Sequence, residues 1–211
     1  MGQRDDDVIE RTAGGRRRVP LGIREGGEAW EQAHLVLAEQ ALRLLAEVGY
    51  ADMKMDDVAD AAGMSKRTVY RHYPTKVDLA VAAIGQLPTF RGWTDGDDDL
   101  PSRIRRAMDI GAAHHKYFAA VLATAIVHRS TVPELLAQLR AHVLEPREAV
   151  VRRLIDYGQR TGEIRPEVDP VLVAAMLTGQ AIDHLTGMHP MPQGTALGDW
   201  ALDRAWPMLA T

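Results

Sequence analysis

The stretch MDDVADAAGMSKRTVYRHYPTK, residues 55–76, decides how this chain is read. Val58, Ala59 and Ala62 recur at helical spacing and mark a short helix over 55–62. Gly63 stops it, because glycine takes positive φ at no steric cost and so permits a sharp turn. Ser65 is then a good N-cap for a second short helix over 65–72, which Pro74 ends. Val58, Ala62 and Val69 can pack the two helices together, and the small Ala59 and Ala62 permit a close crossing. Two short helices joined by a tight turn of this kind make a helix-turn-helix unit.

The second helix of the unit would expose Lys66, Arg67, Thr68, Arg71 and His72. Arginine and lysine can donate to guanine edges in the major groove, and threonine can contact a base or the thymine methyl. Tyr70, Tyr73 and Lys76 can hydrogen-bond phosphates and fix the docking. The net charge of −4 argues weakly against a nucleic-acid partner. The local pattern weighs more: no acid lies between Asp60 and Asp78, while Lys66, Arg67, Arg71 and Lys76 do. An acidic protein with one basic face is still a credible DNA binder.

Upstream, Trp30, Ala33, Leu37, Ala41, Leu44, Leu45 and Val48 predict a helix over 28–48, with Gly49 in the position that follows a helix end. Downstream, Thr75 and Asp78 form a capping box with Asp in place of the usual Glu, opening a helix through about Gln86. Residues 87–101, with Pro88, Gly92, Gly96 and Asp97, Asp98 and Asp99, read as a loop. The remainder reads as helices. One starts at Pro133 and is interrupted or kinked at Pro146, one spans about 170–186, and one spans about 195–208. The expected organisation is therefore all-α: a tail over 1–27, a DNA-binding head over 28–86 and a helical body over 87–211.

Residues 37–84 resemble the N-terminal domain of the tetracycline-repressor (TetR) family. The resemblance rests on Gly49-Tyr50, on Asp57-Val58-Ala59-Asp60-Ala61-Ala62-Gly63, on Ser65 through Tyr73, and on Lys76, in order and without a gap. It implies a three-helix head joined by a fourth, linking helix to a helical ligand-binding and dimerisation body. It also implies a homodimeric repressor released from palindromic operator DNA by a small ligand. By position it places Ser65, Lys66, Arg67, Thr68, Tyr70, His72, Tyr73 and Lys76 at the DNA, with Tyr70 and Lys76 on phosphate. There is one departure. The family often opens its second helix with Ser or Thr, and here the position is Lys54. Either Lys54 meets a phosphate, or Asp56 and Asp57 in the first turn compensate for the lost cap.

In the family the last two long helices pair across a two-fold axis. Here Ala175 and Gly179 would allow close packing, and Trp200 and Trp206 would anchor it. Two heads on that axis would reach half-sites about 34–36 Å apart. A ligand pocket among residues 100–186 has Met108, Phe118, Leu122, Met176 and His184 as candidate lining, which suggests a hydrophobic effector. Binding there would shift the linking helix and change the separation of the heads. Gly15-Arg16-Arg17-Arg18 could reach an adjacent minor groove, or could be an unstructured basic tail.

Several classes are excluded or disfavoured. The chain has no cysteine, so disulfides, thiolate metal sites and a cysteine nucleophile are out. No GxSxG elbow, phosphate-cradling glycine loop or HExxH occurs, so an enzyme is not expected. His114 and His115 are adjacent, and His184 and His189 lack i,i+4 spacing, so no metal or other cofactor is expected. No stretch approaches the roughly 20 apolar residues of a membrane span, and the N-terminus has no apolar core of a secretory signal. The cytoplasm is the expected compartment.

Overall fold

The computed structural model describes residues 27–89, 98–108, 115–188 and 195–211. Among them the chain is helical: α1 Glu28–Asp52, α2 Met55–Ala62, α3 Lys66–His72, α4 Lys76–Ile84, α5 Leu100–Met108, α6 His115–Val127, α7 Pro133–Leu139, α8 Glu145–Thr161, α9 Pro170–Thr186 and α10 Leu197–Leu209. The one β-type pairing among these residues is an isolated antiparallel bridge between Ile164 and Ala210.

Local chemistry sets most of the boundaries. Gly49 breaks α1 at φ 76°, leaving Tyr50–Asp52 as a separate last turn. Gly63 ends α2 at φ 67°, in the left-handed region that only glycine enters cheaply. Ser65 caps α3 by accepting from Thr68 N at 3.1 Å. Both arms of the Thr75–Asp78 capping box form at the start of α4. Asp169 caps α9 by accepting from Val171 N and Leu172 N, with Pro170 in the first turn. Proline at 146 does not break the rod it sits in. Between α7 and α8 the backbone widens into a π-helical turn, Arg140–Leu144, in which Glu145 N donates to Arg140 O. The wider turn relieves the clash between a proline ring and the preceding turn, and it absorbs the missing N–H.

Packing divides the molecule into two cores. The first joins α1–α4 to α6 and α7: Leu37, Leu45, Val58, Val69, Leu79 and Ile84 pack with Phe118, Leu122, Leu135 and Leu139. The second joins α5, α8, α9 and α10 through Ile104, Met108, Val151, Leu154, Leu177 and Leu202. The head thus shares its core with two helices of the body, and apolar packing does not divide at residue 87. Truncating one of these buried leucines to alanine costs about 2–5 kcal/mol. The buried Arg147 of α8 ties its core together by donating to Met108 O, at the end of α5, at 2.7 Å.

Candidate nucleic-acid interface

The helix α3 has seven residues, so its two faces are easily assigned. Val69, His72 and Tyr73 share one face and are buried against α1. Lys66, Arg67, Tyr70 and Arg71 share the other and are exposed, with Tyr70 50% exposed. The outward face carries three cations and a phenol and no acid. Val69 holds α3 to the head core, which fixes this face relative to α1 and α2.

Two of the exposed cations are held by neighbours. Lys66 Nζ donates to Asp56 of α2, and this pairing raises the lysine pKa. The Arg71 guanidinium lies over the Trp30 ring, 5.1 Å from its centroid. Arg67 extends outward with no ion pair among the described residues. Thr68 is half-buried and tied to the cap, with its Oγ1 2.8 Å from Ser65 Oγ. Lys54 is exposed at the start of α2 and its side chain makes no capping bond, so it is free to meet a phosphate.

His72 and Tyr73 need correcting. Both were expected on the DNA face, and both turn inward. His72 is 6% exposed and stacks on Trp30, with ring centroids 3.7 Å apart. His34 packs at its edge, 4.8 Å away. Burial, the neighbouring His34 and Arg71 push the His72 pKa down to about 4, so the ring is neutral near pH 7. Tyr73 O–H donates to His34 O at 3.1 Å, and burial pushes its pKa up to about 12. The reason is helical spacing. Residues three and four beyond the buried Val69 must share its side. That signal was present in the sequence, as was the i,i+4 pair Trp30 and His34 that receives the two rings.

Lys76 has a second role besides the phosphate contact expected of it. Its Nζ donates to Ala51 O at 2.9 Å and lies 4.5 Å from the centroid of the Tyr50 ring. Tyr50 in turn links head to body: its N–H donates to Thr124 Oγ1 of α6 at 2.9 Å, and its ring meets His128 edge-on at 5.2 Å. The Arg16–Arg18 arm, His114 and His189 lie outside the described residues.

The proposed pocket residues do not converge. Leu122 lines a cavity of about 280 Å³ between α6, the α7–α8 rod and α9, together with Ile126, Leu136, Leu144 and Ile182. Phe118 is buried in the first core and Met108 in the second. Met176 points outward and is 49% exposed, which corrects its placement in a pocket wall. His184 is partly buried, and its Nδ1 has no hydrogen-bond partner among the described residues. The apolar spacing located the core stripes but could not say which of two cores each stripe enters. No group of three or more histidine and carboxylate side chains is gathered as for a metal among the described residues.

Residues 37–83 match the family model described as bacterial regulatory proteins, tetR family. Residues 95–197 match the model described as the tetracyclin repressor-like C-terminal domain. The chain belongs to the TetR family. It is a helix-turn-helix transcriptional regulator and not an enzyme. An HTH-type transcriptional regulator of Mycobacterium tuberculosis is 27% identical over 135 residues, which is 64% of this chain and 67% of that one. The HTH-type transcriptional activator FasR of Mycolicibacterium smegmatis is 35% identical over 102 residues, 47% of this chain and 38% of its own. The fold agrees with solved TetR structures. A TetR regulator from Agrobacterium tumefaciens superposes with a TM-score of 0.67 at 22% identity, covering 85% of this chain and 95% of that one. A regulator from Saccharomonospora viridis in complex with choline gives 0.64 at 20% identity, covering 86% and 99%. FadR from Bacillus subtilis in complex with stearoyl-CoA gives 0.61 at 16% identity, covering 84% and 98%.

Proposed function

We propose that this TetR-family regulator acts in the cytoplasm as a homodimeric repressor, binding a palindromic operator and leaving it when a small ligand occupies the body. The observation that carries the DNA reading is the outward face of α3: Lys66, Arg67, Tyr70 and Arg71, without an acid, on a helix pinned by buried Val69. Arg67 is the base reader, because its guanidinium is unpaired among the described residues and can donate two bonds to one guanine. Lys54, Tyr70 and Lys76 supply phosphate contacts.

A second copy is supported by α9. Val171, Leu172, Ala175, Met176 and Gly179 form an exposed, largely apolar stripe, while Val173, Ala174, Leu177 and Thr178 face the core. A methyl group added at Gly179 would meet nothing within 4 Å, so a partner helix has room to approach there. Trp200 and Trp206 of α10 are only partly buried against their own core, which leaves part of each residue for an interface that α10 shares with α9.

Coupling between ligand and DNA runs through α6. Its Leu122 and Ile126 wall the cavity, and its Thr124 holds Tyr50 at the end of α1. Movement of α6 therefore moves the head directly, in addition to the expected path through α4. A 100-fold change in operator affinity needs only about 2.7 kcal/mol of such coupling.

Selection of binding sequences from a random duplex pool, followed by anisotropy at two salt concentrations, tests the reading. An inverted repeat bound with a steep salt dependence is the expected outcome. Failure to enrich any sequence would overturn it. A reporter with the selected site over its promoter then gives the sign of control.

A further inference from the structure

We infer that the cavity between α6, the α7–α8 rod and α9 takes an amphiphilic cation: an apolar body seated on Leu122, Leu136 and Ile182, with its positive head at Glu148. The inference rests on the proposed reading that this cavity is the effector site. Its walls are aliphatic, and its polar groups are gathered on one side as Arg140, Glu145 and Glu148. Those three leave the mouth with one negative charge in excess. The Arg140 guanidinium is 3.7 Å from the Glu145 carboxylate, so the one cation is already engaged. Glu148, one turn along α8 and only partly exposed, forms no ion pair among the described residues.

Acids at the start of a helix ordinarily serve its free amides. That explanation fails here. The rod from α7 to α8 is continuous: Arg140 and Leu144 are both right-handed helical, and Glu145 N is already bonded to Arg140 O. No open helix end lies beneath the two carboxylates, so Glu148 is not a capping residue. The π-helical turn enters the same place, since Arg140 and Leu144 belong to it and both line the cavity. Turns of this type concentrate at functional sites. An anionic head would instead face two carboxylates against one occupied guanidinium. A carboxylate beside an aliphatic wall is partly desolvated and favours a cation over water there.

Calorimetric titration of the full chain with three probes of equal length tests this: octyltrimethylammonium, octanoate and 1-octanol, each below its aggregation threshold. One octyltrimethylammonium should bind per protomer, about ten-fold tighter than octanoate, a gap typical of one charge-assisted contact. Glu148→Gln should erase most of that preference while leaving octanol binding unchanged. Glu145→Gln combined with Glu148→Gln frees Arg140 and should reverse the preference toward octanoate. Equal or tighter octanoate binding by the unmodified chain, an unaltered preference in Glu148→Gln, or binding of none of the probes would overturn the assignment. Operator affinity of the ligand-free protein, measured in parallel, separates failure of this assignment from failure of the regulator reading.

Discussion

The indole of Trp30 stacks on the imidazole of His72, with centroids 3.7 Å apart and planes inclined by 27°. The first turns of α1 thereby clamp the last turn of the recognition helix α3. Neither ring nitrogen of His72 has a hydrogen-bond partner among the described residues, and His34, Arg71, Tyr73 and Glu31 are the titratable groups around this cluster. A proton on His72 would put a charge in a buried site beside His34 and the Arg71 guanidinium.

Stability should therefore depend on pH. The folded pKa of about 4 lies below the ordinary 6.5, so the unfolded chain binds the proton more readily. The folded state keeps its full margin above about pH 6.5 and loses it as pH falls toward 4, by at most about 3 kcal/mol. Thermal melts of the unmodified chain and His72→Phe across this window measure the difference. The variant should show the shallower pH dependence, and parallel curves would refute the role given to His72.

Arg67 and Lys54 should fail in different ways. Arg67→Ala should cost about 1–3 kcal/mol of operator binding and relax preference at one base position. Lys54→Ala should weaken all sequences alike and reduce the salt slope by about 1. It should leave the fold intact, because Lys54 makes no capping bond in α2. Anisotropy against the selected operator and a point-substituted set reads both effects.

Met176→Asp should dissociate the dimer without unfolding the protomer. Met176 is half exposed on α9, so the protomer core does not need it. A carboxylate repeated across a two-fold axis would meet its own copy and desolvate against apolar neighbours. Sedimentation should show a protomer-sized species with an unchanged helical spectrum. A dimer as stable as before would place the interface elsewhere.

Gly198→Ala should destabilise the body. A methyl group at Gly198 would lie 2.4 Å from Arg105 O, so α10 could not cross α5 at its present distance. Backbone cannot yield as a flexible side chain can, and overpacking of this kind costs about 1–3 kcal/mol. Denaturant midpoints should fall with an unchanged slope.

What the sequence determined by itself was local. Gly63, Ser65 and the Thr75–Asp78 box decided where α2, α3 and α4 begin and end, because caps and turns act within four residues of themselves. The same locality made the basic, acid-free face of α3 legible, and a long match of ordered motifs made the family legible. Helical spacing from Val69 already puts His72 and Tyr73 on the inward side, and tertiary structure alone decided what receives them there. Trp30 and His34 receive His72 and Tyr73 across nearly forty residues of chain, and no spacing rule fixes where α1 will lie. It alone decided that head and body share a core through α6 and α7, because a helical stripe states that one side is buried but not against what. The cavity had the same cause. Its apolar wall and its acidic side come from α6, α7, α8 and α9 together with the π-helical turn, and only packing brings Glu148 to Leu122.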